Sequence, residues 1–406
     1  GTKGIERYAE DARGQRLDEA TAAGLITGRR MEEPVPGADV VLTIDADLQR
    51  IAERAVGDQA AAVVVVDVDS GRIRAMVSKP SFNPNTMTGH LTRAEEQLLL
   101  ADPRKPFVDK VAKSQYPPGS IFKFVPTIAA LMDGQGAEDE PIVCTGVYEI
   151  AKTSFKCTGA HGKLDLVGAI QHSCNVYFWK LVERIGLDRL ADISRDYGLG
   201  QPTNVGVGSD AAGRIPTRAW YEARGDYRVG YATNAATGQG DVEVTVLQMA
   251  IAYAALANGG TLWVPQVVDR VVAADGRVIV EYPPTIAHHV KTPPDILDVL
   301  RRGMDKAVNE VGGTAFGYAT SDVVHIIGKT GTAEVKKNRR PKDEPTPPGW
   351  HPTVSHAWFA GWAPADRPEV AIVVLVEHGG GGGKIAGPIA KTILEGYWTK
   401  VRPNAS

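Results

Sequence analysis

The segment from Ala61 to Val68, with four valines in succession, constrains the fold more than any other stretch of this 406-residue chain. An apolar, β-branched run of that length suits a strand buried on both faces. Such a strand needs one layer of elements above it and another below. Asp69-Ser70-Gly71 turns the chain into Arg72 to Val77, the second arm of a hairpin. Further strand patterns come only near the far end, at His325 to Val335, His356 to Trp362 and Val370 to Glu377. Between the two groups, from Pro126 to Leu256, the patterns are mostly helical and punctuated by glycines. Thr245, for example, caps a helix over Val246 to Ala257 that Asn258-Gly259-Gly260 ends. The expected fold class is α+β (mixed α/β): one sheet drawing strands from both ends of the chain, with a mainly helical subdomain inserted.

Around this frame, Val40 to Ile44 reads as a strand, and Asp45 as the cap of a helix from Ala46 to Val56. Gly379 to Gly383 reads as a flexible joint before a helix from Pro388 to Trp398. Residues 1 to 38 are polar and charged, and read as an arm or the remnant of a preceding domain. No apolar run approaches the roughly 20 residues a membrane helix requires. The opening Gly1-Thr2-Lys3, without an initiator methionine, suggests an excised ectodomain. A net charge of −3 gives no sign of a nucleic-acid partner.

Three short motifs carry chemistry. Ser120-Ile121-Phe122-Lys123 follows Pro117-Pro118-Gly119, which permits a sharp turn, so a helix is expected to begin at Ser120. Pro126 fits, since proline is tolerated only near a helix start. Residues three apart on a helix share a face, which brings Lys123 to the Ser120 hydroxyl. Serine is a weak nucleophile until a base takes its proton, and burial makes a lysine such a base by lowering its pKa. Alone, the pair reads as a capping serine followed by a surface lysine. Ser173-Cys174-Asn175, amid Tyr177, Phe178 and Trp179, is either a turn or a proton relay (Ser173) beside an amide-binding side chain (Asn175). Lys329-Thr330-Gly331-Thr332 ends an apolar strand. Its lysine is either an edge-strand gatekeeper or, with the threonine hydroxyls, the anchor for a terminal carboxylate. In that second reading Gly331 lets substrate backbone come close. The backbone N–H groups of Ser120 and Thr332 then form an oxyanion hole.

Three cysteines are too few for a disulfide scaffold. With His161 they form a spaced set: Cys144, twelve residues, Cys157, three residues, His161, twelve residues, Cys174. Three thiolates and an imidazole complete a tetrahedral set for structural zinc. A metal there would brace the second motif from behind, with Cys174 turned away from Ser173 and Asn175. A Cys144–Cys157 disulfide with Cys174 as a buried thiol suits an oxidising compartment instead, and three packed cysteines beside a surface histidine is the plainest alternative. Trp358 and Trp362, four apart on a strand, share a face and read as packing rather than a sugar-stacking platform. Lys336 to Pro348 reads as a solvated loop rather than a basic patch for anionic glycans.

From about Val40 to Trp398 the chain resembles the transpeptidase domain of class B penicillin-binding proteins, a group known for this set of three motifs. The resemblance takes in Tyr116-Pro117-Pro118-Gly119-Ser120, Gly238-Gln239-Gly240, Val244-Thr245-Val246-Leu247-Gln248 and Lys329-Thr330-Gly331-Thr332-Ala333-Glu334. Within that class, His161-Gly162, Ser173-Cys174-Asn175 and His356-Ala357-Trp358-Phe359-Ala360-Gly361 are similar to the elongation-specific penicillin-binding protein 2 type. Gly4-Ile5-Glu6 looks like the family's link between pedestal and catalytic domain. The resemblance implies a central antiparallel sheet flanked by helices over residues 39–400, after a pedestal or linker remnant at 1–38. It implies a serine D,D-transpeptidase that needs no cofactor for catalysis. Ser120 would attack the penultimate D-Ala of a peptidoglycan stem peptide and expel the terminal D-Ala. The acyl group would then pass to the side-chain amine of a neighbouring stem. β-Lactam antibiotics would acylate the same serine. The resemblance also implies a periplasmic domain of a single-pass inner-membrane protein, its anchor absent from this chain. The implied partner is a membrane glycosyltransferase of the shape, elongation, division and sporulation (SEDS) type. Two other readings stay open. One is a D,D-carboxypeptidase or serine β-lactamase that sends the acyl group to water. The other is a β-lactam sensor ectodomain that only signals occupancy.

Overall fold

The computed structural model describes residues 37–88, 91–335, 347 and 350–404. The readings of the N-terminal arm up to residue 36, and of the loop from Lys336 save Pro347, lie outside the described residues.

Among the described residues five strands form the central sheet: β1 (Ala61–Asp67), β2 (Ile73–Lys79), β3 (Ile327–Ala333), β4 (His356–Ala363) and β5 (Val370–Val376). Their order is β3-β4-β5-β1-β2 and every pairing is antiparallel. The valine run therefore lies beside a strand from the other end of the chain, and β3 is an edge among the described residues. Helices that matter here are α1 (Ala46–Val56), α2 (Phe124–Met132), α3 (Asn175–Ile185), α4 (Val246–Ala257), α5 (Pro294–Asn309) and α6 (Gly382–Gly396).

Alternation along the strands divides the core in two. Val63, Val65, Phe359, Ile372 and Val374 pack on one face with Leu48 and Ala52 of α1 and Ile389 and Ile393 of α6. Val64, Val66, Trp358, Trp362, Val373 and Leu375 pack on the other with α4 and the inserted helices. Each fully buried valine stabilises the fold by about 1.5–3 kcal/mol relative to exposure. α4 is apolar on every side and buried over almost its whole length, the pattern of a helix enclosed by protein. Thr245 caps it, accepting from the Gln248 N–H while the Gln248 side chain accepts from the Thr245 N–H. Asp45 caps α1 in the expected way.

The strand expected at Val40 to Ile44 is present as Asp39–Leu42 and pairs with Val268–Val272, in a separate three-stranded sheet. One expectation is corrected. The last helix begins at Gly382 rather than Pro388, and the glycine run is a contact surface rather than a flexible joint. A Cβ on Gly382 would fall 2.3 Å from the Gly331 carbonyl oxygen and 2.4 Å from that of Trp358. The helix start can lie against the sheet only without a side chain there. Among the described residues, no helix is long and apolar enough to cross a membrane.

Candidate active site

Ser120 lies in a 3₁₀ turn, Gly119–Lys123, that runs directly into α2. The expected α-helix starts four residues later than Ser120, so Pro126 falls in its first turn. Residues three apart eclipse one another in a 3₁₀ helix, so Ser120 and Lys123 still share a face. The turn is held from several sides. The Trp358 indole N–H donates to the Pro117 carbonyl at 3.1 Å, Tyr253 Oη to the Ile121 carbonyl at 2.8 Å, and the Gly119 N–H to the Gly238 carbonyl at 2.9 Å. Gly331 of β3 lies beneath it, where a Cβ would fall 2.9 Å from the Pro118 carbonyl oxygen. The space that sequence reasoning reserved for substrate backbone beside Gly331 is therefore used by the serine turn.

Lys123 is only 2% exposed, and its Nζ donates to Ser173 O (2.7 Å), Ser173 Oγ (3.1 Å) and Asn175 Oδ1 (2.7 Å). The first two motifs thus meet at one buried amine. The Phe178 ring lies 5.1 Å from that amine. Ser173 has a φ of 57°, sparsely populated for a side chain with a Cβ. Its carbonyl is thereby turned to Lys123, while its N–H and that of Cys174 bond Ile170 O (3.2 Å) and Ala169 O (2.9 Å). Asn175 opens α3 directly after this bend.

Burial pushes the Lys123 pKa down to about 7, partly opposed by the Cys174 and Cys157 sulfurs. A lysine poised there is free base for a large fraction of the time near neutrality, as a general base must be. Lys329 is fully buried and lies well below the ordinary lysine range, through burial and then the Lys123 charge. Its Nζ donates to the Thr330 carbonyl at 3.1 Å. An anion entering between the two lysines would favour the charged forms of both. Of the two threonine hydroxyls, that of Thr330 is engaged with Thr314 Oγ1 at 2.7 Å, while Thr332 is exposed. Sequence reasoning gave Thr314 no role, and nothing in its local context marks it.

The cysteines converge behind Ser173 and Asn175. Cys174 is fully buried, all three cysteines are free thiols, and one donor atom from each of Cys144, Cys157, His161 and Cys174 lies within 4.8 Å of all the others. His161 Nδ1 is 3.5 Å from Cys144 Sγ and 3.7 Å from Cys157 Sγ. The edge of a tetrahedron built with zinc–sulfur and zinc–nitrogen bonds of ordinary length is about 3.6 Å. The Cys174 thiol, followed by backbone N–H groups including that of Asn175 at 3.2 Å, holds the Cys157 sulfur well below the usual thiol range. The donor set and its spacing fit a metal.

A buried lysine joins the Gly119–Lys123 turn to the Ser-x-Asn bend, beside a Lys-Thr-Gly-Thr strand, an arrangement suited to serine acyl transfer. The family model described as the penicillin binding protein transpeptidase domain matches residues 61–395, and the chain belongs to that family. Within it the chain is a class B member of the penicillin-binding protein 2 type. It is 31% identical over 420 residues to the peptidoglycan D,D-transpeptidase MrdA of Haemophilus influenzae, covering 99% of this chain and 63% of that relative's length. It is similar to the Helicobacter pylori penicillin-binding protein 2 solved in complex with MreC, with a TM-score of 0.78 and 27% identity, covering 96% of this chain and 68% of that one. It is also similar to penicillin-binding protein A of Mycobacterium tuberculosis, solved as a ceftriaxone acyl-enzyme, with a TM-score of 0.77 and 26% identity over 97% of this chain and 91% of that one.

Proposed function

We propose that this chain is the catalytic domain of a serine D,D-transpeptidase that cross-links peptidoglycan stem peptides during cell elongation. The observation that carries the reading is the buried Lys123 amine, bonded to Ser173 and Asn175 and eclipsed with Ser120. In the first half-reaction Lys123, as free base, takes the Ser120 proton, and Oγ attacks the carbonyl carbon of the penultimate D-Ala. The N–H groups of Ser120 and Thr332 hold the resulting oxyanion. The tetrahedral centre collapses to an ester, and the proton passes from Lys123 through the Ser173 hydroxyl to the departing D-Ala nitrogen. Asn175 holds the donor's amide, and Lys329 with Thr332 holds its terminal carboxylate. In the second half-reaction a neighbouring stem's amine attacks the ester and gives up its proton to Lys123, which returns it to the Ser120 oxygen as the acyl–oxygen bond breaks. β-Lactams acylate Ser120 by the same route, as the ceftriaxone acyl-enzyme of the Mycobacterium tuberculosis protein supports.

The reading includes a structural zinc held by Cys144, Cys157, His161 and Cys174, which would fix the bend carrying Ser173 and Asn175 and take no part in the chemistry. It also includes a periplasmic location, a membrane anchor in a longer protein and a SEDS-type glycosyltransferase partner. The chain spans 63% of its Haemophilus influenzae relative, and a penicillin-binding protein 2 has been solved with a protein partner, which support placing it in a larger assembly.

The purified chain, incubated with a pentapeptide stem donor and an amine acceptor stem, should release D-Ala and form a cross-linked product. D-Ala release with only hydrolysed tetrapeptide would point to a carboxypeptidase. A lasting penicillin adduct without D-Ala release would point to a sensor.

A further inference from the structure

The Gly238-Gln239-Gly240 motif has no part in the chemistry above, yet the fold brings it to the centre of the site. Gly238 is tied to the serine turn, since its carbonyl accepts the Gly119 N–H at 2.9 Å. From there the Gln239 side chain reaches across to the third motif, and its Nε2 donates to the Thr332 carbonyl at 3.2 Å in a solvent-exposed position. Thr332 stands on β3, which among the described residues has a sheet neighbour, β4, on one side only. In an antiparallel strand a residue directs its N–H and its C=O to the same edge, alternating along the chain. A carbonyl bonded by Gln239, and lying where a Cβ on Gly119 would meet it at 2.9 Å, faces the free edge and the serine turn. The Thr330 carbonyl, two residues back and on the same edge, is taken by Lys329 Nζ.

A free strand edge beside a nucleophile is a template for an extended peptide, which adds as one more strand through backbone hydrogen bonds. Any such peptide must present an N–H to the Thr332 carbonyl, and in this structure the Gln239 carboxamide already presents one. We infer that Gln239 is a positioning residue that stands in for the donor's backbone amide. It occupies the Thr332 carbonyl in the resting enzyme and gives way when a donor N–H arrives. The device keeps an edge-strand acceptor satisfied without closing the site, and it makes occupancy of that carbonyl a competition. Donors bearing an amide N–H on the acyl side of the scissile bond must displace Gln239, and ligands without one need not.

This inference rests on the transpeptidase reading, and the test separates the two. Benzylpenicillin carries an acylamino N–H on its four-membered ring; a carbapenem such as imipenem has a hydroxyethyl group in its place. Second-order acylation rate constants for both would be measured on the wild-type chain, Gln239→Ala and Gln239→Glu, the last keeping the bulk while losing the donor. An exposed hydrogen bond is worth about 0.5–1.5 kcal/mol, so both variants should acylate with benzylpenicillin roughly 2- to 10-fold faster. Imipenem should acylate at the wild-type rate. The penicillin-to-carbapenem ratio is the deciding readout, because a general weakening of the fold lowers both rates together. An unchanged ratio, or a parallel fall of both rates with the melting temperature, would overturn the inference and make Gln239 a bystander or a brace. A wild-type chain that neither compound acylates would overturn the transpeptidase reading itself.

Discussion

Replacing Lys123 by methionine separates a catalytic amine from a structural one. In the folded chain this lysine is held at a pKa of about 7, against an ordinary value of 10.5. Below pH 7 that depression costs the fold about 5 kcal/mol, from about 1.4 kcal/mol for each unit. Methionine removes this cost but leaves Ser173 O and Asn175 Oδ1 without their donor, at about 1–3 kcal/mol each. The two effects offset each other in large part, so at pH 6 the variant should unfold within about 3 kcal/mol of the wild type. The difference should then change with pH. Between pH 7 and 10.5 the unfolded wild-type chain keeps the lysine proton that the folded chain has shed, so wild-type stability rises with pH and the variant's does not. By pH 9 the gap should widen by about 2–3 kcal/mol in favour of the wild type. Acylation should respond very differently. The wild-type rate constant for benzylpenicillin should climb through pH 7 to a plateau as Lys123 becomes free base. The variant should be slower by roughly 10²- to 10⁴-fold, the usual value of a positioned base, and show no such climb. Stopped-flow acylation from pH 5 to 9, with urea unfolding on the same samples, gives both curves. A variant that acylates within tenfold of wild type and keeps the rise through pH 7 would refute the role assigned to Lys123.

Two further outcomes follow from the buried clusters. Chain purified without chelator should carry about one zinc per molecule, and Cys174→Ser should lose it together with several degrees of melting temperature; unchanged metal content and melting temperature would remove zinc from the account. His356, whose Nδ1 accepts the His378 N–H at 3.0 Å, is pushed down to about 3 by burial and then by the His378 charge. Unfolded, it takes up a proton near pH 6.5, so stability should be intact above that value and fall by about 1.4 kcal/mol per pH unit as pH drops toward 3. His356→Gln, which keeps an acceptor, should flatten the urea midpoint between pH 7 and 5; a slope equal to the wild type's would show that other groups set it.

What the sequence reveals here depends on whether a residue's role is local. The β1 run is legible because a strand covered on both faces must be apolar at every position, and Thr245 because a cap and its helix are adjacent in the chain. Helical spacing pairs Ser120 with Lys123, but the meeting of Lys123 with Ser173 and Asn175 could be anticipated only through a resemblance, since no periodicity links segments so far apart. The 3₁₀ turn at Gly119–Lys123 was indistinguishable from an α-helix start, because both place residues three apart on one face. Gly382 misled because a glycine required by close packing reads in sequence like one required by flexibility. Thr314 and Gln239 act through single contacts with Thr330 and Thr332 across the fold, and only the glycines flanking Gln239 hinted at a constrained loop.

The central claim is that Ser120 forms the covalent intermediate. Intact mass after brief exposure to benzylpenicillin, followed by peptide mapping of the wild-type chain and of Ser120→Ala, tests it directly. The account predicts a wild-type mass gain of a single ring-opened penicillin, located on the peptide containing Ser120, and no gain in the variant. An adduct on another residue, or one that persists in Ser120→Ala, would contradict it.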